Sequence, residues 1–180
     1  MIISIFDYGS GNIKSVSKAV ESAANRLQKN VSVQVIHDPK KIKEADKLIL
    51  PGQGSFKQCA QNLRGILGVV DELNDIVLNK KKNIFGSCVG MQLFADFGEE
   101  DGGSKGLGWI QGEVKKIKIT NLELKLPHMG WNEIVLKEIN PLFQNLSEDK
   151  HFYFVHSYEF IPEDKNVISA TTDYSSNIVC

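Results

Sequence analysis

The segment Asn83-Ile84-Phe85-Gly86-Ser87-Cys88-Val89-Gly90-Met91-Gln92 constrains this chain more than any other. A short apolar run enters Gly-x-Cys-x-Gly, and a helical pattern follows at once. That order predicts a sharp strand-to-helix turn, with a nucleophile in strained backbone and no room for side chains two residues to either side. The turn places Cys88 at a helix N-terminus, where free N–H groups and the dipole favour thiolate over thiol. It also aims the Val89 N–H at the place where an oxyanion would form. The bland alternative is a small buried cysteine; Cys59 and Cys180 keep that reading.

The rest of the first half fits such a turn. Ile2 to Phe6, Val31 to Ile36, Lys47 to Leu50 and Asn83 to Phe85 read as strands. Between them lie helical spacings over Ile13 to Leu27, a short turn opening at Asp38-Pro39, and a helix over Leu63 to Leu78 with a break suggested by Gly65 and Gly68. Val89 to Phe97 is a further predicted helix. Repeated strand–helix alternation predicts a parallel sheet with crossover helices. From about residue 98 the pattern turns β-rich. Gly98 to Gly108 holds five glycines in eleven residues and reads as a loop. Strands are expected over Val114 to Ile119, Leu122 to Leu126, Glu133 to Leu136, His151 to Val155 and Asn166 to Ala170, with a helical turn near Pro141 to Asn145. The expectation is one α/β domain over residues 1–180.

Composition removes whole classes of function. With 21 Lys+Arg against 22 Asp+Glu, the chain has no electrostatic footprint for nucleic acid. No apolar run nears the roughly 20 residues that cross a bilayer. The start, Met1-Ile2-Ile3-Ser4-Ile5-Phe6-Asp7, lacks a charged n-region and a cleavage site, so a cytoplasmic protein without a signal peptide is expected. Three cysteines argue for a reducing compartment, and four histidines without paired spacing give no support to zinc or another metal. No organic cofactor is expected.

A second loop, Leu50-Pro51-Gly52-Gln53-Gly54-Ser55-Phe56, also follows a strand. Neighbouring parallel strands end at one edge, where open α/β folds place ligands, so Gly52 and Gly54 are candidates to bring a backbone N–H to a ligand beside Cys88. Together with Asp7-Tyr8-Gly9, Gly106-Leu107-Gly108-Trp109, Pro127-His128-Met129-Gly130-Trp131-Asn132, Phe152-Tyr153-Phe154-Val155-His156-Ser157-Tyr158 and Ala170-Thr171-Thr172-Asp173-Tyr174, these segments resemble the class I glutamine amidotransferases. Within that family they look like the glutaminase subunits of imidazole glycerol phosphate synthase, over essentially the whole chain. The resemblance implies a flavodoxin-like three-layer α/β fold with a mainly parallel central sheet. It implies that Cys88 attacks the side-chain amide of glutamine, that ammonia leaves, and that water hydrolyses the thioester. It gives Val89 an oxyanion-hole role and assigns Gln92, Glu100, His156, Ser157 and Tyr158 to the substrate glutamine. Asn12, Trp131 and Tyr153 match positions that meet a (β/α)8-barrel cyclase in a heterodimer, through which ammonia passes to a phosphoribosyl-aminoimidazole-carboxamide substrate. By residue type alone, Trp131 and Tyr153 read as core or half-buried sheet aromatics, Gln92 as a surface residue, Glu100 as solvated and His128 as a surface or capping histidine.

Two departures stand out. The family's catalytic His and Glu lie in a late His-Pro-Glu motif that this sequence does not contain, and His156 matches the His-Ser-Tyr position instead. The expectation is therefore a chain whose last strands and base lie beyond Cys180, with an open sheet edge near Asn177 to Cys180; the alternative is a non-catalytic regulatory partner of the cyclase. A Cys-elbow hydrolase or redox sensor of similar fold is a third reading, which leaves the Pro127–Asn132 and Phe152–Tyr158 matches unexplained. Gln53 stands where a small apolar residue is commoner, a change of little weight if the loop acts through its backbone.

Overall fold

The computed structural model describes residues 1–121, 123–137, 140–144, 146 and 150–179, and at 177 and 179 the backbone. Strand β1 (Ile2–Phe6) leads to helix α1 (Ile13–Arg26), β2 (Ser32–Ile36), a 3-10 turn over Pro39–Glu44, and β3 (Lys47–Gly52). Helices α2 (Phe56–Arg64) and α3 (Val69–Asn74) follow, then β4 (Asn83–Cys88) and the one-turn helix α4 (Val89–Gln92). β1 pairs in parallel with β2 and β3, and β3 with β4, giving the order β2-β1-β3-β4. That is the strand order of the flavodoxin-like sheet up to its fourth strand. β3 is central and buried from Leu48 to Gly52, as a strand covered on both faces must be. Phe6, Leu48, Leu50, Phe56, Leu63 and Leu73 join one buried cluster with the inner faces of α2 and α3.

The β-rich half adds two further sheets among the described residues. The short strands β5 (Phe97–Gly98) and β6 (Ser104–Lys105) join β7 (Gly112–Lys116) and β10 (Tyr158–Pro162) in the order β10-β7-β5-β6. The other sheet is antiparallel, ordered β12-β11-β8-β9, with β8 His128–Leu136, β9 His151–His156, β11 Ala170–Asp173 and β12 Asn177–Val179. Among the described residues β4 and β12 each have one strand neighbour. Phe85 on β4 is half exposed. Cys180 lies outside the described residues.

Several predicted elements are corrected. The helix expected over 63–78 is divided at Gly68, which takes φ 77°, and residues Asp75–Asn79 form a π turn. The helix expected over 89–97 stops at Gln92. The N–H groups that would continue it go elsewhere: Phe94 N and Ala95 N reach only three residues back, to Met91 O at 3.0 Å and Gln92 O at 3.1 Å, Asp96 N donates to Gly112 O at 3.0 Å, and the Leu93 carbonyl that residue 97 would need accepts from Leu107 N at 2.7 Å. The Gly98–Gly108 loop contains β6 and a 3-10 turn at Glu100–Gly102. No strand forms over 123–126, and Leu122 lies outside the described residues. The strand expected at 166–170 begins only at Ala170, because the Asp164 side chain accepts from Asn166 N at 2.9 Å and caps a 3-10 turn over Lys165–Val167. The turn at Pro141–Phe143 is present, capped by Asn140, and Asn145 lies outside the described residues.

Candidate functional site

Cys88 is the last residue of β4 and has φ 54° and ψ −122°. A side chain rarely adopts that backbone; it costs on the order of 1–3 kcal/mol and persists only where the surroundings enforce it. Here the enforcement is backbone packed on backbone. A Cβ on Gly90 would lie 1.9 Å from the Leu50 carbonyl oxygen, one on Gly86 2.5 Å from Met91 Cα, and one on Gly52 2.3 Å from Gly90 N. The three glycines thus let β3, β4 and α4 meet at van der Waals contact, as the Gly-x-Cys-x-Gly pattern requires. Parallel register sets Gly52 directly beside Cys88.

The loop after β3 is anchored from below. The buried Tyr8 hydroxyl donates to the Pro51 carbonyl at 2.6 Å, and burial pushes that phenol well up. Cys59, fully buried, donates weakly to the Gln53 carbonyl at 3.5 Å, so its structural reading holds. Gln53 itself is exposed. Gly54 takes φ 107° with no atom near its missing Cβ, so conformation rather than crowding selects glycine there.

The expected lowering of the Cys88 thiol is not found. Although the side chain reaches solvent, surrounding protein desolvates the thiol and pushes it up; the Val89 N–H bond pulls it down by less, and Cys59 and Glu100 raise it further. The reason is the helix: four residues carry almost no dipole, so burial wins.

Gln92 is buried rather than on the surface, and its Nε2 donates to the Tyr158 carbonyl at 3.1 Å. His156 Nδ1 meets the same carbonyl at 3.0 Å, while its Nε2 meets His128 Nδ1 at 3.0 Å. Both ring nitrogens are therefore engaged. Ser157 joins β9 to β10 and accepts from Ile117 N through its carbonyl at 2.9 Å. Glu100 is partly buried, not simply solvated: its carboxylate accepts from Phe56 N, the first N–H of α2, at 2.7 Å. It also raises both the Cys88 thiol and the Tyr158 phenol, the latter after desolvation, so it lies within electrostatic reach of both.

Strand register thus links Gly52 to Cys88, hydrogen bonds link Gln92 to the Tyr158 carbonyl and through it to His156, and Glu100 lies within electrostatic reach of Cys88, whereas the bond of Ser157 runs to Ile117. Trp131 and Tyr153 lie on the antiparallel sheet, while Asn12 follows Gly11, whose missing Cβ would meet Pro51 at 3.0 Å and Gly52 N at 3.4 Å. Asn12 is exposed and caps α1, accepting from Ser15 N at 3.2 Å. Trp131 and Tyr153 are register partners on β8 and β9, 72% and 57% exposed, with rings edge to face at 5.7 Å; the core reading of these aromatics is overturned. Residue-type reasoning also misplaced His128, which is 3% exposed, not a surface histidine. The signal was available: His128 and Asn132 are four apart on one strand, hence on one face, opposite to Met129 and Trp131. Among the described residues no group of His, Cys, Asp and Glu could hold a metal ion, and no helix is long and apolar enough to cross a membrane.

Comparison with known proteins agrees with this geometry. The Imidazole glycerol phosphate synthase subunit HisH of Pelagibacter ubique is 52% identical over 180 residues, covering 100% of this chain and 85% of the relative. The protein of the same name from Neisseria meningitidis is 42% identical over 186 residues, with 100% and 85% covered. A crystal structure of a glutamine amidotransferase superposes with TM-score 0.66 at 15% identity, covering 95% of this chain and 80% of that one, which supports the fold. A family profile described as Glutamine amidotransferase class-I matches residues 5–180, and the chain belongs to that family.

Proposed function

We propose that this chain is the glutaminase subunit of an imidazole glycerol phosphate synthase, a cytoplasmic enzyme of histidine biosynthesis. The strained backbone of Cys88 beside Gly52 carries the reading, and the names of the 52% and 42% identical relatives supply the synthase. Cys88 Sγ, as thiolate, attacks the side-chain carbonyl carbon of glutamine. The C–N bond breaks as the nitrogen takes up a proton and leaves as ammonia, and water then cleaves the thioester to glutamate. The Val89 N–H, with the Gly52–Gly54 loop opposite, receives the oxyanion. Gln92, Glu100 and the His156–Tyr158 stretch hold the substrate.

Trp131 and Tyr153, with Met129 and Val155 on the same strand face, form an exposed apolar patch suited to a partner. The partner we assign is a (β/α)8-barrel cyclase that receives the ammonia. The test uses the subunit as its gene encodes it, mixed with that cyclase, and measures glutamate release. Cys88→Ala is expected to abolish release, by several orders of magnitude, while complex formation persists. Release that survives the substitution overturns the assignment. A wild-type complex that forms but releases no glutamate identifies a non-catalytic partner instead.

A further inference from the structure

Behind the exposed face of β8 and β9 runs a line of hydrogen bonds whose direction is fixed at both ends. At one end, Asn132 Oδ1 accepts from Glu133 N at 2.8 Å and its Nδ2 donates to the Asp173 carbonyl at 2.8 Å. A backbone N–H and a backbone carbonyl thereby settle which way the amide points. The same Nδ2 faces His128 Nε2 at 3.2 Å, so that ring nitrogen must accept. His128 then carries its proton on Nδ1 and donates to His156 Nε2 at 3.0 Å. His156 in turn carries its proton on Nδ1 and donates to the Tyr158 carbonyl at 3.0 Å. That last acceptor is a carbonyl and can only accept, so the far end demands the same direction independently. The second lone pair of Tyr158 O takes the Gln92 Nε2–H at 3.1 Å.

The rings have little freedom to turn. His128 lies between Phe154, at 4.8 Å and 13°, and Tyr174, at 4.0 Å and 20°. Tyr174 is tethered by its hydroxyl, which donates to the Lys125 carbonyl at 2.6 Å. His128 and His156 are also direct register partners across β8 and β9. The chain therefore joins the antiparallel sheet to the one carbonyl that also holds Gln92, one helical turn beyond the nucleophile.

We propose that Asn132, His128 and His156 act as a one-way chain of positioning residues that fixes the Tyr158 carbonyl and the Gln92 side chain against the elbow, and so shapes the glutamine site. This rests on the glutaminase reading above. Cutting the chain at His128 takes away the partner of His156 Nε2, so the ring that donates to the Tyr158 carbonyl loses the anchor on its other side and is free to turn off that carbonyl. Glutamine recognition should suffer, while the intrinsic access of small reagents to the Cys88 thiol should not.

Two measurements on the full subunit test this. Nitrogen-15 spectra of the wild-type histidines should show both His128 and His156 protonated at Nδ1 and bare at Nε2; an Nε2–H form of either ring overturns the chain. Alkylation of Cys88 is then followed with a glutamine-like diazo-ketone and with iodoacetamide. His128→Phe keeps a flat ring in the stack and should react at least tenfold more slowly with the glutamine analogue, at an unchanged rate with iodoacetamide. His128→Gln, whose amide can accept from Asn132 and donate to His156, should recover most of the loss. If wild-type Cys88 is labelled but His128→Phe reacts just as fast with the analogue, the positioning role fails alone. If wild-type Cys88 shows no preference for the analogue over iodoacetamide, the glutaminase reading fails, and this inference with it.

Discussion

At the scale of single residues the elbow is held by what is missing as much as by what is present. A methyl group on Gly90 would meet the Leu50 carbonyl at 1.9 Å, and the listener to that clash is backbone that cannot swing aside. Gly90→Ala should therefore destabilise the protein by on the order of 3 kcal/mol, read from urea midpoints. Gly54→Ala meets no atom and should cost only the left-handed backbone, about 1–2 kcal/mol. Equal losses for the two would contradict the packing account. Cys88 stores strain of the opposite kind, a side chain where glycine would be at ease. Cys88→Gly should consequently be more stable than Cys88→Ala by about 1 kcal/mol, both being inactive, and the reverse order would show the turn to be relaxed. Burial also lifts the Cys88 thiol above its ordinary value of 9.0. In the isolated subunit, iodoacetamide alkylation at Cys88 should keep accelerating as pH rises past that value, and a plateau near neutral pH would instead reveal a preformed thiolate.

At the scale of elements, β8 and β9 show two faces with different duties. Trp131 and Tyr153 look outward, whereas His128, Asn132 and His156 look inward. Trp131→Ala and Tyr153→Ala should leave unfolding within about 1 kcal/mol of wild type, since little burial is lost. Each should weaken cyclase binding by about tenfold or more, as truncating an aromatic anchor does; undiminished binding in a titration would move the partner to another face. What the sequence let one read follows the range of the forces involved. β3 and β4 were legible because the apolar run ends at glycine, β1 because it is an apolar run ending just before the Asp7–Gly9 turn, and β2 because it is β-branched and ends before Asp38-Pro39, all local signals. The end of α4 was not, since it is set from well downstream, by Gly112 O taking the Asp96 N–H and by Leu107 N taking the Leu93 carbonyl. The 3-10 turn at Lys165–Val167 hid in a β-branched stretch because one Asp164 carboxylate decides it. The site divided in the same way: Cys88, Gly52 and Gly90 announce themselves by spacing, whereas the buried places of Gln92 and His128 depend on a strand 66 residues on and on rings from two other strands or loops.

For the molecule as a whole, the parallel sheet and the antiparallel one are tied together at Tyr158, and the tie has a protonation state. Burial depresses both imidazoles, with His156 lowering His128 further and the Tyr158 carbonyl offsetting part of the effect on His156. Among the described residues, the groups packed against them are the Phe154 and Tyr174 rings, the Asn132 amide and the Tyr158 carbonyl, none of which is an anion. A charged ring would turn an N–H toward an N–H in the line from Asn132 to Tyr158. The native state therefore holds both histidines neutral, while the unfolded chain takes up protons near the ordinary 6.5. Above that value neither state binds the proton and the contribution to stability is fully present. As pH falls below it, the unfolded chain binds protons that the native one refuses, and the contribution is lost progressively until pH has passed through the depressed native values. Burial raises the Glu159 carboxyl, which acts with the opposite sign but around the carboxylate range, lower on the scale. Melting temperature should accordingly drop between about pH 7 and about pH 5.5, and the drop should shrink by about half in His128→Phe, which removes one of the two rings. A His128→Phe protein with the same pH slope as wild type would show that the paired histidines, however well placed, are not what links the stability of the fold to protons.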